Sequence, residues 1–230
     1  MNIERRSVLK GMALGSLASI AASSSGLSMA QGVFGAQSRP MLPSLALVSS
    51  ETAQSVFLQG IHACTANTPL SVQRTDLGLG FIQAFDQRLR SGQAQRIIGL
   101  VDDASAALIV DLARSAGARV HWLGQHRATA SASEHQLLSA ESASGCAAQL
   151  GLSLNTCGSA FSLSEQRLHG REAPLQISAA ARERHGSDQW AATLGYTLAG
   201  LGSHHVGQPP VISRQASPLR GHFVSFLIEA

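Results

Sequence analysis

Glu51, Asp76, Asp102, Asp103 and His126 each stand just past a short apolar or β-rich run of the chain. Carboxylates and an imidazole move protons or hold divalent cations. Ser49 and Ser50, Thr75 and Gln125 accompany them at the same run ends. Ligands of open α/β sheets bind outside the carboxyl ends of the strands. Four run ends that deliver acids, hydroxyls and one imidazole to a single rim therefore make a candidate site for a small polar substrate. Asp and Ser also follow strands simply because they cap the next helix. Asp103, directly before the stretch that begins at Ala104, suits that role.

Other chemistries find less support. A phosphate cradle needs glycines after the first strand, and Ser49-Ser50-Glu51 stands there instead. GLGF at Gly78–Phe81 reads as a turn, and GYTLAGLG at Gly195–Gly202 as close helix packing. The mature region holds no Gly-x-Ser-x-Gly elbow for a serine hydrolase. Nine histidines are many for this length, but no metal-ligand spacing makes them converge. In a helix, His62 and Cys64 lie about 200° apart and would not chelate together. His204-His205 is a doublet in a Gly-rich loop. No metal or cofactor is assigned.

Strand–helix alternation has to position the rim. Leu45–Val48 is a continuous apolar run, read as a buried strand, and a helix follows with Val56, Phe57, Gly60, Ile61 and Cys64 on one face. Leu70–Val72 reads as a second strand. Gly78 to Leu89 reads as a second helix, with Phe81, Ile82, Phe85 and Leu89 on one stripe. Ile97–Val101, Ala104–Ser115 and Arg119–Leu123 then form a strand–helix–strand unit, with Gly117 at the helix end. Such alternation predicts a parallel sheet with right-handed crossovers. The expected fold is α/β: a three-layer, mainly parallel sheet of the Rossmann/flavodoxin type. Its C-terminal half is expected to be more helical. Residues 134–150 read as a helix. Ser162 and Glu165 are spaced as a capping box for another, and Ser187-Asp188 starts a third, with the stripe Trp190, Leu194, Leu198 and Leu201. Phe223–Ile228 reads as a closing strand of the same sheet.

Arg5-Arg6-Ser7-Val8-Leu9-Lys10 is followed by an apolar tract diluted with Gly and Ser, Gly11 to Leu27, and then by Ser28-Met29-Ala30. The pattern resembles a twin-arginine export signal, with Arg5, Arg6, Leu9 and Lys10 at the matching positions and Glu4 where Ser or Thr is commonest. The tract is too weakly apolar for a stable anchor, and small residues stand where a signal peptidase reads. The resemblance implies a signal peptide over 1–30 cleaved after Ala30, a linker over 31–42, and one α/β domain over 43–230. It also implies transport in the folded state to the periplasm, with the export machinery and the peptidase as partners.

The leader also corrects the charge. Arg5, Arg6, Lys10 and Glu4 leave with it, which reduces 17 basic and 14 acidic side chains to 14 and 13. Nucleic-acid binding needs a basic stripe, and none survives. Three cysteines remain for an oxidising compartment. Cys146 and Cys157 flank AAQLGLSLNT, and their disulfide would stabilise by roughly 3 kcal/mol. Cys64, on an apolar helix face, reads as a buried hydrophobe.

Three functions stay open. The first is a non-catalytic periplasmic protein that binds a small ligand or serves as accessory to a periplasmic enzyme. The second is a small hydrolase or isomerase that uses the rim acids and His126. The third is a cofactor-bearing redox protein, suggested by folded export and unsupported by any ligand motif.

Overall fold

A computed structural model gives the architecture. It describes residues 43–65, 68–140, 143, 145–158, 160–168, 173–182, 188–201, 207–212 and 219–230. These all fall within the compact unit Arg39–Ala230. The export signal, its cleavage site, the linker through Met41 and Leu42, Ser187 and His204-His205 lie outside the described residues.

The protein is α/β, with one eight-stranded mixed sheet and five helices among the described residues. The strands are β1 (Leu45–Val48), β2 (Ser71–Arg74), β3 (Arg96–Val101), β4 (Arg119–Ala128), β5 (Ala132–Ser139), β6 (Ala160–Arg167), β7 (Leu175–Ala179) and β8 (Gly221–Glu229). We number the helices α1 (Val56–Thr65), α2 (Leu79–Leu89), α3 (Asp103–Ser115), α4 (Cys146–Thr156) and α5 (Gln189–Gly200). The spatial order is β2-β1-β3-β8-β4-β5-β6-β7. No helix among the described residues is long and apolar enough to cross a membrane.

The sheet is mixed rather than mainly parallel. β1 runs parallel to β2 and β3, and β5 to β6. β8 inserts between β3 and β4 antiparallel to both, β4 and β5 form a hairpin, and β6 pairs antiparallel with β7. The composition of β8 accounts for its central place. Phe223 to Ile228 are six consecutive buried residues, and a strand with no polar side can be satisfied only with cover on both faces.

Alternate residues of the central strands feed two separate hydrophobic clusters. Ala46, Val48, Ile98, Leu100, Phe223 and Leu227 pack with Phe57 and Ile61 of α1, Leu150 and Leu154 of α4, and Trp190, Leu194 and Leu198 of α5. Leu45, Leu47, Ile97, Val224, Phe226 and Ile228 pack with Phe81 and Phe85 of α2 and Ile109 of α3. α1 and α5 cross very closely. A Cβ added at Gly60 would overlap the Ala192 carbonyl, and one at Gly195 would overlap that of Phe57.

The C-terminal half is richer in strands than the sequence reading expected. The stretch read as a helix over 134–150 is strand β5 followed by the shorter helix α4, and the capping-box segment at Ser162 is strand β6. In both strands, polar side chains point inward. β5 buries Ser133, His135, Leu137 and Ser139, and β6 buries Phe161, Leu163 and Glu165. A period of two is therefore present, but part of its buried face is polar.

The predicted Cys146–Cys157 disulfide is absent: all three cysteines are free. The reason is α4 itself. Cys146 begins the helix and Cys157 caps its end. A rise of 1.5 Å per residue therefore separates them by about 16 Å, well beyond disulfide reach. Cys64 is buried in the α1–α5 cluster.

Candidate functional site

The rim residues divide into two kinds. Asp102 is the N-cap of α3 and accepts hydrogen bonds from the Ser105 backbone N–H at 2.9 Å and the Ser105 hydroxyl at 2.8 Å. Capping thus falls to Asp102, one residue before the position expected, and Asp103 is the first, exposed helical residue. Asp76 accepts from the Gly78 backbone N–H at 2.8 Å and so shapes the turn into α2. Glu51 is exposed in the turn between β1 and α1. Ser49 and Thr52 stitch that turn to the end of β3: the Ser49 N–H donates to Thr52 Oγ1, which donates to the Leu100 carbonyl.

His126 is different. β4 runs five residues further than the sequence reading placed it, so His126 lies inside the sheet and Gln125 faces away from it, exposed. In the β4–β5 hairpin His126 stands directly across from His135, and in the β4–β8 ladder it stands across from Phe223. A four-residue hydrogen-bonded chain results. The two Nδ1 atoms are 2.8 Å apart, His126 Nε2 is 2.7 Å from Ser225 Oγ, and His135 Nε2 is 2.9 Å from Ser133 Oγ. Trp122 Nε1 donates to Ser225 Oγ at 2.9 Å. His126 and His135 are each 2% exposed and Ser225 is fully buried. Trp190 of α5 covers both imidazoles, with ring centroids 5.4 and 5.5 Å away.

The proton positions follow from the partners. With Ser225 Oγ accepting from Trp122, we assign its own hydrogen to His126 Nε2. His126 then donates through Nδ1 to His135 Nδ1, and His135 donates through Nε2 to Ser133. Each ring N–H and the Ser225 hydroxyl then has one acceptor, and both imidazoles are neutral. Burial lowers the pKa of each. His135 falls to about 3, and His126, fully enclosed and disfavoured further by a charge on His135, falls well below its usual 6.5.

A second polar cluster lies on the same face at the opposite end of the strands. Buried Arg96 at the start of β3 donates from Nε (3.0 Å) and Nη2 (2.7 Å) to one oxygen of Glu229 at the end of β8, and from Nη1 to the Leu201 carbonyl at 2.6 Å. The other Glu229 oxygen is 3.0 Å from His121 Nε2. Burial alone would raise the Glu229 pKa, but Arg96 and His121 together hold it below the usual carboxylate value. Buried Glu165 on β6 accepts a very short hydrogen bond from Ser139 on β5. Cys146 lies near enough for Glu165 to add to the upward push of burial on its thiol, against the opposing pull of Arg96.

Sequence reasoning found His126 but none of its partners. Trp122, Gly124 and His126 alternate along β4, and Ser133, His135 and Leu137 alternate along β5. The intervening Thr129-Ala130-Ser131 turn is the signal that joins the two series into a hairpin. Among the described residues no hydrogen bond or ion pair joins Glu51, Asp76, Asp102 or Asp103 to His126, and no three His, Cys, Asp or Glu side chains form a metal-binding group. Comparison with protein-family models, curated proteins and solved structures finds no match to this chain.

Proposed function

We propose that residues 43–230 form a folded domain exported by the twin-arginine route, which acts in the periplasm without catalysis. It would bind a small ligand or serve as accessory to a periplasmic enzyme. One observation carries the non-catalytic part. The groups best suited to proton transfer are already committed to holding the fold: His126 through both ring nitrogens within a sealed core, Asp102 through both oxygens on Ser105. The Arg5-Arg6-x-x-Leu9-Lys10 pattern supports the route. The alternating core residues of β1, β3 and β8 support a three-layer arrangement of the Rossmann/flavodoxin kind around the first half of the chain.

Fractionation of cells that carry the Arg5→Lys/Arg6→Lys variant tests the proposal. The expected result is a soluble, uncleaved protein held in the cytoplasm, while the parent chain is periplasmic and co-elutes with a small molecule or a partner enzyme. Normal export of the variant would overturn the route. A parent chain that runs alone and ligand-free would overturn the binding role.

A hydrolase reading has one observation in its favour. Ser225 Oγ and His126 Nε2 are spaced as nucleophile and base, with His135 behind them as orienting group. Against it, Ser225 is fully buried in a central strand. Covalent labelling of Ser225 by a fluorophosphonate probe at neutral pH would favour this reading over the first.

A further inference from the structure

We propose that the His126–His135 pair is an acid-operated latch: it holds the Trp190 end of α5 on the sheet at neutral pH, and uptake of protons from solvent releases that end. The inference rests on the geometry of the pair and not on the proposed export or binding role.

The hydrogen-bonded chain has no vacant place for another proton. A proton added to His135 Nδ1 would set two N–H groups against each other across 2.8 Å. A proton added to His126 Nε2 would turn the Ser225 oxygen into acceptor of two N–H groups, from His126 and Trp122, and leave the serine hydrogen without an acceptor in a fully buried spot. The first case breaks the His126–His135 hydrogen bond and the second strands the serine hydrogen; in both a charge appears in the core, where an unpaired charge is costly. The cation–π attraction of Trp190 offsets only about 1–2 kcal/mol of that. Opening to water removes both penalties.

Trp190 is the element suited to move. Among the described residues its indole N–H is buried with no acceptor, so its hold on the imidazoles is ring packing, and release gives the N–H a water partner. It sits in the first turn of α5, whose N-cap residue Asp188 does not cap the helix with its side chain. Beyond that turn, Ala192 and Gly195 anchor the helix at its close crossing with α1. Gln189 ties that turn to the Pro210 carbonyl and the Ile212 backbone N–H, both at 2.8 Å, so the 207–212 segment moves with it, and the hinge falls between Trp190 and Ala192.

Among the described residues few other charges face the pair. From α5 the carboxylate is Asp188, which accepts from the Leu219 backbone N–H at 2.7 Å. Glu165 of β6 shares the face but is bonded to Ser139. Arg127 of β4, Glu134 of β5 and His222 of β8 belong to the opposite face, each one position from an inward residue. Asp188 is thus the competing sensor.

Both tryptophans of the chain touch this unit, so intrinsic fluorescence reports on it directly. The test is a titration from pH 7.5 to 4.5 of the full domain, followed by tryptophan emission, far-UV circular dichroism and hydrogen exchange. The expected result is an emission change below pH 6.5 with circular dichroism retained. Exchange over 189–192 should rise about tenfold per pH unit for each proton taken up, after correction for intrinsic rates, while β3 and β8 stay protected. His126→Phe/His135→Leu should abolish the response, and Asp188→Asn should keep it. Three results would overturn the latch: no change at 189–192, simultaneous loss of protection in every strand, or loss of the response in Asp188→Asn. If the double variant does not fold, exchange in the parent chain and in Asp188→Asn still decides.

Discussion

The α1–α5 crossing allows one substitution, glycine to alanine, to be tested at two helical positions with opposite predicted signs. A Cβ at Gly60 would lie 2.8 Å from the carbonyl carbon of Ala192 and 3.0 Å from its Cα, and closer still to the oxygen. The obstruction is backbone, so no side chain can turn aside, and the helices must part by roughly an ångström to regain ordinary contact near 3.5–4.0 Å. Overpacking of that kind costs about 1–3 kcal/mol, and backbone obstruction puts Gly60 at the upper end. Alanine returns at most about 1 kcal/mol of helix propensity. The net prediction for Gly60→Ala is a loss of about 2 kcal/mol, or roughly 4–8 °C in Tm for a domain of this size. A Cβ at Gly80, in the first turn of α2, meets nothing within 4 Å. Gly80→Ala should therefore gain about 0.5 kcal/mol and raise Tm by roughly 1–2 °C. Gly195→Ala should resemble Gly60→Ala. The pair should cost less than the sum of the two, because helices already parted leave room for the second methyl. Urea and thermal unfolding of the four variants measure this. A neutral or stabilising Gly60→Ala, with Gly80→Ala destabilising, would refute the crossing and with it the placement of α5.

Two further predictions follow from the polar contacts. Asp102→Ala should cost about 1 kcal/mol of stability through the lost cap and leave ligand binding unchanged; a selective loss of binding would return Asp102 to the rim site. Glu229→Ala leaves the buried Arg96 guanidinium without its carboxylate; because the Glu229 side chain is partly exposed and water can enter, the cost should be about 1–3 kcal/mol. The Glu229 pKa is depressed in the folded state. Its contribution is therefore fully present above the unfolded value of 4.5 and is lost as pH falls below that. Unfolding free energies of parent and variant should differ least at pH 3; a difference independent of pH between 7 and 3 would contradict the pairing.

The first half of the fold was legible because its physics is simple. Leu45–Val48 and Ile97–Val101 are uninterrupted apolar runs and are buried throughout. The stripes Phe81/Phe85/Leu89 and Trp190/Leu194/Leu198 show a helical period without ambiguity. The second half was not legible because its inward positions are polar. Ser133 and His135 bond each other within β5, and Ser139 bonds Glu165 across to β6, so the hydrophobic alternation that marks a strand is thinned where these buried polar groups lie. Ser162 and Glu165 imitate a capping box for the same reason: a serine and an acid three apart suit a helix start as well as opposite faces of a strand. The antiparallel insertion of β8 had no local signal. Its burial was readable from FVSFLI, but its neighbours are set by chain segments more than ninety residues away. The disulfide expectation failed on secondary structure, since a loop would have allowed what a helix forbids.

Native and intact-mass spectrometry of protein recovered from the periplasm of its own host tests the central claim most directly. The account predicts the covalent mass of residues 31–230 with three free thiols, accompanied under native conditions by a small molecule or a partner chain. Full-length protein found only inside the cell, or a periplasmic chain that carries a covalent acyl or phosphonyl group on Ser225 after exposure to an ester or fluorophosphonate, would contradict it.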